Sequence, residues 1–224
     1  MTVARRLGRL PLPIETPRLT LRLPAAVDVP RLRRLLRDPR TARAEGADLH
    51  SPEERHRPEL MVARTRREYR RADHLSLSVV DRSSGELVGR VGLRGLDWTW
   101  RKVESLSYWI APAWWGQGFA TEASWYLCRA AFGALRMRRV ASQALDANAR
   151  SLAVLRRLGF VEEGRERRAV VVGGRPMDMI LFGLLPEELR PFEARAPSAL
   201  ERRTLARAAR RRAPASAPPG CRRP

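Results

Sequence analysis

Apolar residues recur along this chain with two different periods. Leu19, Leu21 and Leu23 alternate with polar neighbours, as do Leu75, Leu77 and Val79, and a period of two marks a strand with one buried face. Ser83-Ser84-Gly85 is a turn, after which residues 87–93 return as a third strand. Glycines at 89 and 92 in that strand mark a bulge or a close backbone approach. Residues 102–110, with Leu106, Tyr108 and Ile110 at alternate positions, read as a fourth strand, and residues 138–145 as a fifth. Phe160-Val161 opens a sixth, Gly173-Gly174 supplies a hairpin turn, and residues 177–185 return as a seventh.

Helical spacing appears between these runs. Val29, Leu32, Leu35 and Leu36 share one face behind Asp28 as N-cap, and Asp38-Pro39 stops that helix. Residues 40–50 read as irregular. Ser51-Pro52-Glu53-Glu54 starts a helix running to about Arg71, which Pro58 should kink or restart. Residues 119–134 are apolar on most sides and predict a buried helix. Asn148 starts another, with Leu152, Leu155 and Leu158 inward and Gly159 ending it. The order β-α-α-β-β-β-α-β-α-β-β implies an α/β (α+β) domain with a mixed sheet of about seven strands. It should occupy residues 14–190, between a loose basic arm (1–13) and a disordered Arg/Ala/Pro-rich tail (191–224).

Charge changes the picture in one respect. The net charge is +20, and among the 44 basic residues only Lys102 is lysine. From Arg195 onward nine arginines stand against Glu201 alone. Such a surface favours anionic partners such as nucleotide phosphates, RNA or acidic protein segments; the plainer reading is a solvated, arginine-rich surface. No apolar run reaches membrane-spanning length and no export signal opens the chain, so a cytoplasmic protein with no membrane contact is expected. Cys128 and Cys221 are too far apart in character to make a disulfide framework. His50, His56 and His74 show no ligand spacing, so no metal is expected.

The candidate chemistry lies between the fourth strand and the long helix, in Trp114-Trp115-Gly116-Gln117-Gly118-Phe119-Ala120-Thr121-Glu122-Ala123. A strand, a glycine loop and a helix start can turn several backbone N–H groups toward one point where the helix dipole adds positive charge. The amides of Gln117, Gly118, Phe119, Ala120 and Thr121 would then hold a phosphate or pyrophosphate; the alternative is a plain strand-to-helix turn.

In this order the chain resembles the GNAT superfamily of N-acetyltransferases, and within it the branch of ribosomal-protein alanine and serine N-terminal acetyltransferases. The resemblance rests on Trp115-Gly116-Gln117-Gly118-Phe119-Ala120, on Asn148-x-x-Ser151, Leu158-Gly159-Phe160 and Glu163-Gly164, on Asp178 after Gly174-Arg175, and on Thr16-Pro17-Arg18-Leu19-Thr20-Leu21-Arg22. It implies a mostly antiparallel seven-stranded sheet with helices on both faces and strands 4 and 5 splayed. It also implies acetyl-CoA as co-substrate and direct attack by a primary amine of a protein N-terminus or a small molecule. Backbone groups of Trp109, Ile110 and Ala111 would hold the pantetheine and thioester. The tyrosine many relatives use as acid is replaced by Leu155, which leaves Ser151 as acid with Asn148 beside it or on the cofactor. Tyr108 is a candidate to line the acetyl pocket. The branch's usual carboxylate position is Ser105, so Glu104 could act as base only through a bulge; Asp178 is a structural or substrate-orienting candidate. Carboxylates expected near the cleft are Glu104, Asp97 and Asp178. The acceptor wall should come from residues 40–50, the helix after them and the 96–101 loop. Other expected partners are ribosome or RNA through the tail, in a monomer or homodimer. The competing reading is a degenerate GNAT fold that binds or regulates without catalysis.

Overall fold

The computed structural model describes residues 7–44 and 57–193. The helix start expected at Ser51 lies outside them. One eight-stranded sheet carries the fold, in the order β1-β2-β3-β4-β5-β6-β8-β7. Its strands are β1 (Ile14–Glu15), β2 (Leu19–Arg22), β3 (Leu75–Asp81), β4 (Leu87–Asp97), β5 (Lys102–Ile110), β6 (Arg139–Leu145), β7 (Val161–Val172) and β8 (Arg175–Leu184). The strand beyond the expected seven is β1, a two-residue pairing of Ile14 and Glu15 with Leu21 and Thr20, too short to leave a periodic trace. All neighbours are antiparallel except β5 and β6.

That exception is where the sheet opens. β5 and β6 pair only at Lys102–Arg139 and Val103–Val140, after which β6 continues on β8 alone. The splay expected between the fourth and fifth sequence strands is therefore present. Beyond it, one contact across the gap is the Ser142 hydroxyl, which donates to the Leu106 carbonyl at 2.9 Å.

The helices are α1 (Val29–Leu36), α2 (Pro39–Ala44), α3 (Pro58–Arg71), α4 (Phe119–Gly133) and α5 (Ala149–Leu158). They divide between the two faces. The larger core packs Ala123, Leu127 and Ala131 of α4, with Leu155 and Leu158 of α5, on Leu21, Leu77, Val91 and Leu106 of the sheet. The smaller joins Leu32 and Leu36 of α1 and Met61 and Val62 of α3 to Val80, Leu87 and Trp109. Alternation along each strand sends neighbouring side chains to opposite faces, so Tyr108 joins the first core and Trp109 the second.

Several expectations need correction. Residues 7–13 are not a loose arm: Leu7 and Leu10 are buried in the main core. The domain does not end at 190, because Phe192 packs on Trp125 and Tyr126 at ring distances of 5.5 and 5.8 Å. Pro39 begins a helix as well as ending one; Asp38 accepts the Arg40 N–H at 2.8 Å. Asp28 makes no side-chain cap on α1. Its carboxylate accepts from the Ala25 N–H and pairs with Arg22 and Ser78, tying β2 and β3 to the first helix. Pro58 starts α3, as a proline in the first turn does. Gly89 sits beside a register shift, where a Cβ would run into the Trp109 carbonyl. No described helix is long and apolar enough to cross a membrane.

Candidate active site

The glycine loop is built from both sides. Gly118 adopts φ +79° as the N-cap of α4, a left-handed conformation that other residues reach only with strain. It turns the first-turn amides of Phe119, Ala120 and Thr121 outward, where no helical carbonyl precedes them. Trp115 crosses back over the end of β5 and donates its indole N–H to the Ile110 carbonyl at 2.6 Å. Trp114 stacks on Phe119 at 5.6 Å.

A fully buried carboxylate fixes this loop from behind. Glu122, on the first turn of α4, accepts from the Thr16 hydroxyl at 2.6 Å, the Arg18 N–H at 2.9 Å and Arg18 Nε at 2.7 Å. Arg18 also donates to the Gln117 carbonyl at 2.9 Å and lies 4.7 Å from the Phe119 ring centre. Glu122 therefore points away from the anion site, and Arg18 locks β2 to the loop. Sequence spacing had no means of pairing residues 104 positions apart.

The loop closes one end of an open cleft of about 770 Å³ between β5, α4, α5 and the β7–β8 hairpin. Arg40, Arg150, Arg157 and Arg175 line it, and no carboxylate among the described residues does. Arg150 lies 3.8 Å from the Trp115 ring centre, which holds its guanidinium across the mouth. A wall with four cations and a helix N-terminus suits a polyanion. These arginines were not singled out in the sequence, because one arginine among so many carries no signal.

Along the floor runs the open edge of β5. The Ala111 N–H bonds to the Val88 carbonyl at 2.8 Å. Antiparallel alternation then turns the Trp109 amide toward β4 as well, and leaves those of Tyr108 and Ile110 facing the gap. Of the three expected backbone positions, Ile110 keeps an amide on the open side; Trp109 and Ala111 do not.

Opposite lies α5. Asn148 caps it, accepting the Ser151 N–H at 3.1 Å. Ser151 and Tyr108 form a hydroxyl pair at 3.0 Å, and the phenol also reaches the Ser151 carbonyl at 3.2 Å. Burial pushes the Tyr108 phenol well above its ordinary value; the bond to Ser151 pulls against this and nearby Cys128 adds to it. Both side chains line the cleft. Alternation places Tyr108 on this face of β5, but its partner on α5 was not legible.

All three carboxylates expected near the cleft fall elsewhere. Glu104 is exposed and packs by Gly95, outside the cleft. The β4–β5 register is continuous from Arg94–Ser105 to Leu96–Val103, so no bulge re-aims it. Asp178 accepts from Arg165 Nε at 2.6 Å and from the Arg168 N–H at 2.8 Å, bracing an irregular stretch of β7. These bonds hold its carboxyl below the ordinary range, and it does not line the cleft. Asp97 accepts the Thr99 and Trp100 amides in the β4–β5 turn, at the far end of β5 from the glycine loop.

Residues 18–161 match the family described as an acetyltransferase (GNAT) domain. The chain belongs to the GNAT acetyltransferase family. This GNAT chain is 40% identical over 104 residues to YdaF of Bacillus subtilis (strain 168), provisionally described as a ribosomal N-acetyltransferase, across 46% of this chain and 56% of YdaF. It is 30% identical over 111 residues to the uncharacterized N-acetyltransferase p20 of Bacillus licheniformis, across 50% of this chain and 62% of p20. It thus spans little more than half the length of these curated relatives. Among solved structures, Mycobacterium smegmatis RimJ in complex with CoA-disulfide is 26% identical with a TM-score of 0.68, covering 79% of this chain and 85% of RimJ. A Vibrio cholerae protein provisionally described as a ribosomal-protein-serine acetyltransferase is 28% identical with a TM-score of 0.65, covering 77% of this chain and 97% of that one. Two of these relatives, YdaF and the Vibrio cholerae protein, are named for ribosomal acetylation.

Proposed function

We propose that this GNAT domain transfers an acetyl group from acetyl-CoA to a primary amine by direct attack. The observation that carries the reading is the unpaired edge of β5 running from the glycine loop to the Tyr108–Ser151 pair. The outward amides of α4 and the four cleft arginines would hold the phosphates of the donor. Its thioester would then lie against the open β5 edge, where the Ile110 amide can donate to the carbonyl oxygen as negative charge grows on it. The amine nitrogen bonds the carbonyl carbon, the C–S bond breaks, and the amine proton leaves to water. The leaving thiolate takes a proton from the Tyr108–Ser151 pair. Burial raises the phenol's pKa, so it stays protonated at neutral pH and keeps a proton to donate.

Two relatives named for ribosomal acetylation favour a protein acceptor, and a protein N-terminus is the amine we assign to it. The test is release of free thiol from acetyl-CoA against N-terminal peptides, aminoglycosides and polyamines. Ser151→Ala should lower kcat by about 10²-fold with the acetyl-CoA dissociation constant little changed, the size of one general-acid contribution. An unchanged kcat would remove Ser151 from the chemistry. The absence of a carboxylate from the described cleft lining favours the second reading, a GNAT fold that binds without catalysing. Saturable acetyl-CoA binding with no amine-dependent thiol release would establish that reading.

A further inference from the structure

A second, smaller cavity of about 110 Å³ adjoins the cleft across β5, on the α1/α3 face of the sheet. Tyr108 and Trp109 line both spaces, so one strand separates them. The register explains its chemistry. Trp109 pairs with Arg90, and Ser107 with Gly92 and through it Ser76, so these side chains share one face. Where the other face presents Leu77, Val91 and Leu106 to the core, this one presents hydroxyls and guanidiniums.

Arg90 is only 4% exposed, and its Nη2 donates to the Thr65 hydroxyl at 2.7 Å and to the Ser76 hydroxyl at 2.9 Å. Arg64 and Arg94 line the same cavity. Among the described lining residues Glu68 is the one acidic group, and it lies 3.5 Å from Arg64. Two nitrogens add a separate observation. Trp109 is 6% exposed, and among the described residues its buried indole N–H has no hydrogen-bond partner; nor has Nδ1 of His74. A buried donor without an acceptor costs about 1–3 kcal/mol, which an acceptor reaching Trp109 from outside would recover.

Resting on the acetyl-transfer reading above, we infer that this cavity is the subsite for a carboxylate carried by the acceptor close to its reacting amine. The chain is therefore selective for peptides with an acidic residue near the N-terminus. The cleft supplies the donor from one side of β5, and the cavity receives the acceptor's carboxylate on the other. A polyamine, which brings only further positive charge, is disfavoured here. Guanidiniums bind carboxylates through paired N–H groups.

The test uses the full chain and three hexapeptides that differ only at the second residue, Asp, Ala or Lys. Thiol release from acetyl-CoA should give the Asp peptide a kcat/KM at least about tenfold above the Lys peptide, with the difference mainly in KM and shrinking as salt is raised. Arg94→Gln, a substitution at a half-buried position, should erase the preference. Arg90→Lys, which keeps the buried charge but loses the planar fork, should reduce it. The second readout is peptide binding without acetyl-CoA, followed by tryptophan fluorescence, and it separates this inference from the reaction it rests on. Equal turnover of the three peptides overturns the carboxylate subsite and leaves acetyl transfer standing. If no peptide turns over, the transfer reading fails; Asp-selective binding lost in Arg94→Gln still upholds the subsite, and its absence overturns that too.

Discussion

Removing the cation from the Arg18–Glu122 clamp tests how the glycine loop is held. In Arg18→Ala, Glu122 keeps the Thr16 hydroxyl and a backbone N–H but stays fully buried without its counter-charge. Arg18 is itself only 17% exposed, so solvent screening discounts the pair little. Breaking a buried ion pair from one side costs about 3–5 kcal/mol. For a domain of this size that corresponds to a Tm loss on the order of 10 °C. The loop also loses the bond to the Gln117 carbonyl and the cation over Phe119. The KM for acetyl-CoA should therefore rise more than kcat falls. Glu122→Gln should behave similarly, because its amide would aim a donor at Arg18 Nε, itself a donor. The double variant Arg18→Met/Glu122→Leu removes both charges and should recover part of the loss. Thermal unfolding by circular dichroism, with and without acetyl-CoA, gives the stability arm; thiol release gives the kinetic arm. A Tm within about 2 °C of wild type in Arg18→Ala, or a double variant as unstable as the two single losses together, would refute the clamp.

Other outcomes follow from the same geometry. Gly118→Ala forces a left-handed residue at about 1–2 kcal/mol and puts a methyl 3.5 Å from Arg18, so acetyl-CoA affinity should fall; unchanged affinity by calorimetry would show that the anion sits elsewhere. For Asp28, burial alone would raise the carboxyl, but Arg22, the Ala25 N–H and Ser78 together hold it below the ordinary 3.8. A depressed carboxyl contributes its stability above the unfolded value and loses it as the pH falls through the folded one. Asp28→Asn should therefore be less stable at neutral pH and show a flatter decline below about pH 4, read from urea midpoints across pH. Deleting residues 194–224 should leave kcat/KM for a small amine unchanged, and a tenfold loss would assign the tail to the site. Ending the chain at 190 instead should lower Tm, because Phe192 is stripped from Trp125 and Tyr126.

The parts of this fold that were legible in sequence are those written by a local rule. β5 occupies the residues its alternation predicted, and α5 begins at the Asn148 cap and ends at Gly159, with φ +101°. The glycine loop was legible for the same reason, since φ > 0 leaves a glycine in the text. What escaped depends on which distant elements meet. Glu122 stands in the first turn of α4, and nothing near it in sequence names Thr16 or Arg18 as its partners. The Tyr108–Ser151 pair spans 43 positions and two elements. Glu104 failed for a different reason: a base was sought from the position of a motif, and only the register could show that the strand carries it away from the cleft. The polar face of β3–β5 was hidden because Ser76, Arg90 and Ser107 read as the solvent side of each strand, whereas α3 covers them.

The short contact between β5 and β6 bears on how the domain holds together in use. Joined by two residue pairs, the sheet is mechanically two plates, β1–β5 and β6–β8, hinged at one corner and bridged by the helices behind them. A donor lying in the opening would act as a strut between the plates. Its binding energy would then count as folding energy, about 2.7 kcal/mol when its concentration is a hundred times its dissociation constant. The working stability of such a domain belongs in part to its substrate pool. Depletion of that pool would loosen the protein as well as slow it.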